Sequence, residues 1–211
     1  MIKLKTNGVA NQTANFFETV QLSDKALWAK FVDVFRTHPD SKKHGWSGEF
    51  WGKTMRGGCL VYEYSQSESL YATLTDSVKD MLTTAEDDGR VSSYEKEKEF
   101  TAWDMWNRKY VMLGCEYYLD ICKDEQFKAQ IIDFIKGCAD YILLHIGEGK
   151  INVTHTSGFW YGLNSSSILE PIVRLYNLTK DERYLAFATH IVNEGGTRKV
   201  NVFKLAYENE L

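Results

Sequence analysis

The sequence predicts an all-α protein made of stacked helical hairpins. Three observations predict this: a repeat with a period of 57 residues, apolar residues at helical rather than alternating spacing, and only two prolines in 211 residues. Scarce proline removes the commonest interruption of long helices.

The repeat shows in three stretches, "SQSESL" (65–70), "CKDEQF" (122–127) and "TKDERY" (179–184), whose glutamates fall at 68, 125 and 182. Ser65 and Thr179 carry Glu three residues later, the capping-box signature of a helix start, and Cys122 is the variant in the middle copy. Upstream, Gly57, Gly114 and Pro171 keep the same spacing, as do Cys115 with Ile172, Tyr118 with Leu175, and Ile121 with Leu178. Each unit reads as helix, short turn, capped helix and longer loop. First helices are expected at 48–64, 101–121 and 164–177, and second helices at 68–86, 124–146 and 181–194. The hairpins then cover 48–86, 101–146 and 164–194 of one all-α domain, 1–211. A helix over 23–37, with Ser23 as N-cap, precedes them, and a piece at 199–210 follows. "YVMLGCEYYLDI" and "ILEPIVRLY" are apolar nearly all round, which predicts buried inner helices behind a more one-sided outer layer. Stacked hairpins of this kind form an open solenoid or a closed α/α toroid.

Composition excludes several classes of function. A net charge of −4 argues against a nucleic-acid surface. No stretch approaches the length of a membrane span, and "MIKLKTNGVANQTANFF" lacks the apolar core of a signal peptide, so a cytoplasmic protein is expected. Cys59, Cys115, Cys122 and Cys138 form no CxxC pair and the five histidines no HExxH, so buried reduced thiols are expected, with no metal site.

The candidate site lies at the starts of the first helices. Glu49, Lys53 and Arg56 precede "GGCLVY"; Asp104, Asn107 and Arg108 share one face at i, i+3, i+4; Asn164 and Ser165–Ser167 precede "ILEPIVRL". Equivalent repeats make these helices parallel, so their N-termini bring backbone N–H groups and positive dipole ends to one rim. Aromatics gather there: Trp46, Phe50, Trp51, Trp103, Trp106, Phe159, Trp160 and Tyr161. Flat apolar faces beside carboxylates, amides and cations suit a carbohydrate, whose C–H faces stack and whose hydroxyls need donors and acceptors. Plainer readings stand beside this one. The Trp103/Trp106/Tyr110/Leu113/Tyr117 stripe fits core packing. Glu49–Lys53 and Asp104–Arg108 fit simple helix ion pairs, the serines fit a helix start, and "EKEKE" (95–99) fits a solvated loop.

"GEFWGKTMRGGCLVY", "DGRVSSYEKEKEFTAWDMWNRKYVMLG", "YILLHIGEGK" and "SSSILEPIVRLYNLTKDERYLAFATHIVNEGG" resemble the β-L-arabinofuranosidase-like glycoside hydrolases, family 127 and relatives, over about residues 26–211. The resemblance implies an (α/α)6 toroid of the six-hairpin glycosidase type, of which three hairpins are the N-terminal half. It implies release of terminal L-arabinofuranose from plant-type glycans by a zinc-bound cysteine nucleophile and a glutamate acid/base in the other half. This chain has no Cys-Cys pair and no Glu-X-Cys, so no catalytic or metal residue is carried onto it. The expected role is a sugar-binding rim without the zinc and cysteine centre, in a chain inactive alone. Trp51, Trp103, Trp106 and Trp160 are expected to stack on sugar or shape the rim. Glu49, Lys53, Asp104, Arg108, Lys109 and Asn164 are expected to supply polar contacts. A homodimer or a separate C-terminal half would close the ring. Two other readings fit the same residues: a uronyl hydrolase or epimerase, with Asp104 as the acid/base of the former, or a non-catalytic repeat protein binding a glycan or a partner.

Overall fold

A computed structural model describes residues 7–157 and 159–208. The chain start that bears on the signal-peptide expectation, residues 1–6, and the end of the last predicted helix, residues 209–211, lie outside the described residues.

The helices run α1 (Val9–Phe16), α2 (Lys25–Thr37), α3 (Glu49–Ser65), α4 (Glu68–Leu82), α5 (Asp104–Ile121), α6 (Glu125–His145), α7 (Leu163–Ser166), α8 (Leu169–Thr179), α9 (Glu182–Asn193) and α10 (Val202–Tyr207). Among the described residues there is no strand, only the isolated bridges Asp40–Tyr94, Ile146–Ile151 and Gly196–Asn201. No helix among them is long and apolar enough to cross a membrane.

The three hairpins are α3–α4, α5–α6 and α7/α8–α9, with the expected short turns. Their caps differ from the expected ones. Ser67, Asp124 and Asp181 accept hydrogen bonds from the first-turn amides, so the repeated glutamate is the first helical residue, not the third. An Asp or Ser immediately before the glutamate reaches the amides better than a residue two positions earlier. Asp24, not Ser23, caps α2 for the same reason. The segment 9–22 is helical too, its last turn π-helical, which the sequence reading missed because α1 buries none of its residues.

The first helices α3, α5 and α8 pack side by side. Residues one repeat apart touch across these seams: the Trp106 indole N–H donates to Glu49, Lys53 Nζ lies 4.8 Å from the Tyr110 ring centroid, and Arg174 donates to Tyr117 Oη at 3.3 Å. Each of these pairs is separated by 57 residues in the chain. Equivalent positions meet in this way when parallel helices are arranged around a common axis. Only α5, with an inner neighbour on both sides, is buried nearly all round; α3 and α8 each bury one face and leave Leu60 and Val173 exposed. The α3–α5 seam is the closest. Gly52 meets the Tyr110 backbone and Gly114 meets Trp51 and Gly52, with no room for a side chain at either position.

The core runs from Leu22 and Trp28 through α3–α6 to Phe187 and Ile191. All four cysteines are free and buried in it. Burial pushes up the pKa values of Cys59, Cys115 and Cys138, that of Cys138 to about 12, so these three are thiols and not thiolates at neutral pH. One buried group on α5 opposes folding. Both carboxyl oxygens of Glu116 lack a hydrogen-bond partner. Burial raises its pKa well above the usual carboxylate range, and the nearby Arg174 only partly offsets this. The folded state therefore binds a proton that the unfolded state releases above pH ~4.3, so stability falls as pH rises through that value toward the folded-state pKa. Glu116→Met is expected to stabilise the chain by ~1–3 kcal/mol at pH 7 and to flatten this slope, as urea melts at pH 5 and pH 8 would show.

Candidate carbohydrate site

The three mouths are chemically different. At the start of α3 the Asp40 carboxylate accepts from the Ser47 and Gly48 amides at 3.2 Å each, and from Ser93 Oγ and Asn107 Nδ2. At the start of α5, Asp104 accepts from the Phe100 amide, Ser92 Oγ and Arg108 Nε. These two helix ends are thus occupied by the protein's own carboxylates, contrary to the expectation of free donors at every mouth. At the third mouth Asn164 Oδ1, Ser165 Oγ and Ser166 Oγ are buried without a hydrogen-bond partner, whereas at the second only Asn107 Oδ1 is. Asn164 Nδ2 is fixed by the Ala102 carbonyl at 3.1 Å, which points its oxygen the other way.

A cavity of about 730 Å³ opens beside this third mouth. Its walls include Trp106, Lys109, Trp160, Asn164, Glu170 and Arg174, with Val202 and Phe203 of α10 on the far side. Four of the ten residues expected to contact sugar, Trp106, Lys109, Trp160 and Asn164, therefore meet at one place. Glu49 and Lys53 stand next to it: Glu49 accepts from the Trp106 indole and pairs with Lys53 at 2.9 Å, and the Lys53 ammonium lies 5.4 Å from the Trp106 ring. Trp103 stands behind, stacked on Phe159 at 4.7 Å and edge-on to Trp160 at 5.3 Å.

Three expected contact residues are not at the surface. Trp51 is fully buried, its indole donating to Ser77 Oγ at 3.0 Å; it fills the core between α3 and α4. Asp104 and Arg108 form a buried ion pair at 3.0 Å. Arg108 also pairs with Glu99 at 2.6 Å, and Glu99 accepts from Arg90 and from Tyr141 Oη. Glu99, expected in a solvated run, is thus the centre of a buried charge network. Burial works against the Arg108 charge, but Asp104 and Glu99 leave its pKa raised. Asp104, the acid/base of the uronyl hydrolase reading, is thus fully buried in an ion pair and does not line the cavity. Trp46 and Phe50 are exposed, yet they pack on His44 and Phe31 and do not line the cavity.

Strained backbone presents the exposed ring. Trp160 and Tyr161 have φ of 46° and 55°, and Gly162 follows at 96°. Two consecutive non-glycine residues in the left-handed region cost about 1–3 kcal/mol each. Arg198 holds the turn in place by donating to the Thr154 and Ser157 carbonyls, while its amide donates to the Tyr161 carbonyl at 2.9 Å. Such strain, held by a guanidinium, positions Trp160 with 60% of its surface exposed.

The family model described as Beta-L-arabinofuranosidase, GH127 catalytic domain, matches residues 4–209. The chain belongs to the GH127 β-L-arabinofuranosidase family. A crystal structure of Ara127N-Se, a GH127 β-L-arabinofuranosidase from Geobacillus stearothermophilus T6, is similar to it with a TM-score of 0.69 at 14% identity. That likeness covers 100% of this chain and 35% of the other, so the GH127 chain described here spans about a third of the matched structure's length. It bears out the all-α hairpin fold expected for half a toroid. No curated protein matches the chain. Among the described residues of this GH127 chain, no three Cys, His, Asp or Glu side chains converge on one point. The described residues by themselves therefore do not form a zinc centre, and no zinc-dependent step is assigned to them.

Glu170 and Arg174 were missed as site residues because they sit inside the apolar run "ILEPIVRL". The signal was there: Ser166, Glu170 and Arg174 follow each other at i, i+4, i+8, on the same face as the serine mouth.

Proposed function

We propose that this chain supplies a sugar-binding wall of a β-L-arabinofuranosidase-type glycoside hydrolase, with the cavity at the third mouth as the subsite for an arabinose-containing, plant-type glycan. One observation carries the reading: Asn164 and Ser166, whose side-chain oxygens are buried without partners, line the same cavity as Trp106 and Trp160. Buried oxygens without partners cost about 1–3 kcal/mol each, so a small side-chain rotation that turns them into the cavity to meet a ligand's hydroxyls is favoured. The rings offer apolar faces to the sugar's C–H groups. The proposal concerns binding; the described residues assign no bond-breaking group.

Titration of the chain with arabino-oligosaccharides, followed by tryptophan fluorescence, tests this. A saturable change is expected, weakened about tenfold or more by Trp160→Ala and by Asn164→Leu, corresponding to ~1.4 kcal/mol. Binding that survives both substitutions would place the sugar elsewhere, and no binding to the wild-type chain would remove the proposal.

A further inference from the structure

The seams between α3, α5 and α8 gather positive charge on an acidic protein. The chain's net charge is −4, yet four cations crowd two tyrosine rings there. Lys53 and Lys109 Nζ lie 4.8 and 5.2 Å from the Tyr110 centroid, and Arg56 and Arg174 Cζ each lie 4.8 Å from that of Tyr117. Few carboxylates compensate them. Glu49 pairs with Lys53 and is also engaged by Trp106. Glu170 is shared, at 3.8 Å from Lys109 and 3.6 Å from Arg174. Arg56 has no carboxylate within 4.0 Å among the described residues, and Glu116, which acts on Arg174, is pushed toward its neutral form. Burial lowers the Lys109 pKa; Glu170 raises it, while Arg56 and Lys53 lower it further, as expected where like charges crowd.

Glu170 shows what would relieve this crowding. One of its oxygens faces the Lys109 ammonium and the other the Arg174 guanidinium, both at the long end of ion pairing, and its side chain is 42% exposed. A flat group with two anionic oxygens therefore fits between the two cations, and the protein's own carboxylate holds the position loosely. Lys109 and Arg174 both line the cavity beside Trp106 and Trp160.

We propose that the glycan bound at this site is acidic: one of its sugars bears a carboxylate that lies between Lys109 and Arg174, in exchange for Glu170. This inference rests on the sugar-binding reading above and adds the charge of the ligand. A neutral glycan would leave the excess of cations uncompensated, whereas a uronate-type sugar stacks like a neutral one and neutralises a charge as well.

The test compares digalacturonate with its dimethyl ester, which keeps the rings and hydroxyls and removes the charge. Binding to the 211-residue chain is measured by calorimetry at about 10 mM and about 500 mM salt. The acid is expected to bind about tenfold more tightly than the ester at low salt, and the preference to shrink at high salt. Glu170→Gln should strengthen acid binding relative to ester binding. Lys109→Met and Arg174→Met should each abolish most of the preference. Equal binding of acid and ester, or binding of arabino-oligosaccharides but of neither digalacturonate form, would overturn the acidic assignment and leave the sugar-binding reading standing. Failure of all three ligands to bind would remove both.

Discussion

Gly52→Ala is expected to destabilise the fold by about 4 kcal/mol or more, beyond the range of ordinary substitutions. A β-carbon at this position would lie 1.8 Å from the Tyr110 carbonyl oxygen and 2.3 Å from its carbon. Both are backbone atoms of α5, so no rotamer change relieves the overlap; α3 and α5 must move apart. Moving them opens the Trp51–Gly114 contact and the core beneath it. Gly57→Ala is the control. That glycine lies in the same helix, with nothing within 4 Å of its added β-carbon. Alanine there should stabilise by ~0.5–1 kcal/mol through helix propensity alone. Urea denaturation of the two variants separates the effects, and a Gly52→Ala loss below about 1 kcal/mol would mean that the seam is looser than described.

Arg108→Ala is expected to cost ~3–5 kcal/mol, the range for breaking a buried ion pair from one side. Asp104 would keep its bonds from Ser92 and Phe100 but lose its charge partner, and Glu99 would keep only Arg90 as a cation. The guanidinium also lies 5.0 Å from the Phe100 ring and 5.2 Å from that of Tyr141, so the packing of α5 against α6 is lost with it. Lys25→Ala, at the exposed Lys25–Asp76 pair, should cost ~1 kcal/mol or less. Equal losses for the two variants in denaturant melts would show that the buried network contributes no more than a surface pair.

The helices were legible because their signals are local. Apolar spacing, short turns and a repeated acidic residue after each turn are all read within a few positions. The register of each cap was not, since Ser65 and Ser67, or Thr179 and Asp181, are equally plausible in sequence and differ only in reach. The site was legible in part. Trp106, Lys109, Trp160 and Asn164 meet because the repeat places helix starts together, and the repeat is visible in the sequence. What the sequence hid was burial. Glu99 lies in a run of alternating charges that looks like solvent, and only its long-range partners Arg90, Arg108 and Tyr141 take it inside. Trp51 has the same local company as Trp106; the difference is a serine 26 positions away that receives its N–H.

The contacts between residues one repeat apart bear on how such a protein can evolve or be idealised. Along the seams several positions face their own counterparts: Glu49 meets Trp106, Lys53 meets Tyr110 and Tyr117 meets Arg174. In a ring of identical units, every such seam would join a residue to a copy of itself. Lysine would face lysine and glutamate would face glutamate, and like charges at that distance repel. Charge can therefore enter at these self-facing positions only after the copies have diverged into complementary partners. A consensus version that makes the units identical would have to give up the charges at these positions, and whatever they bind.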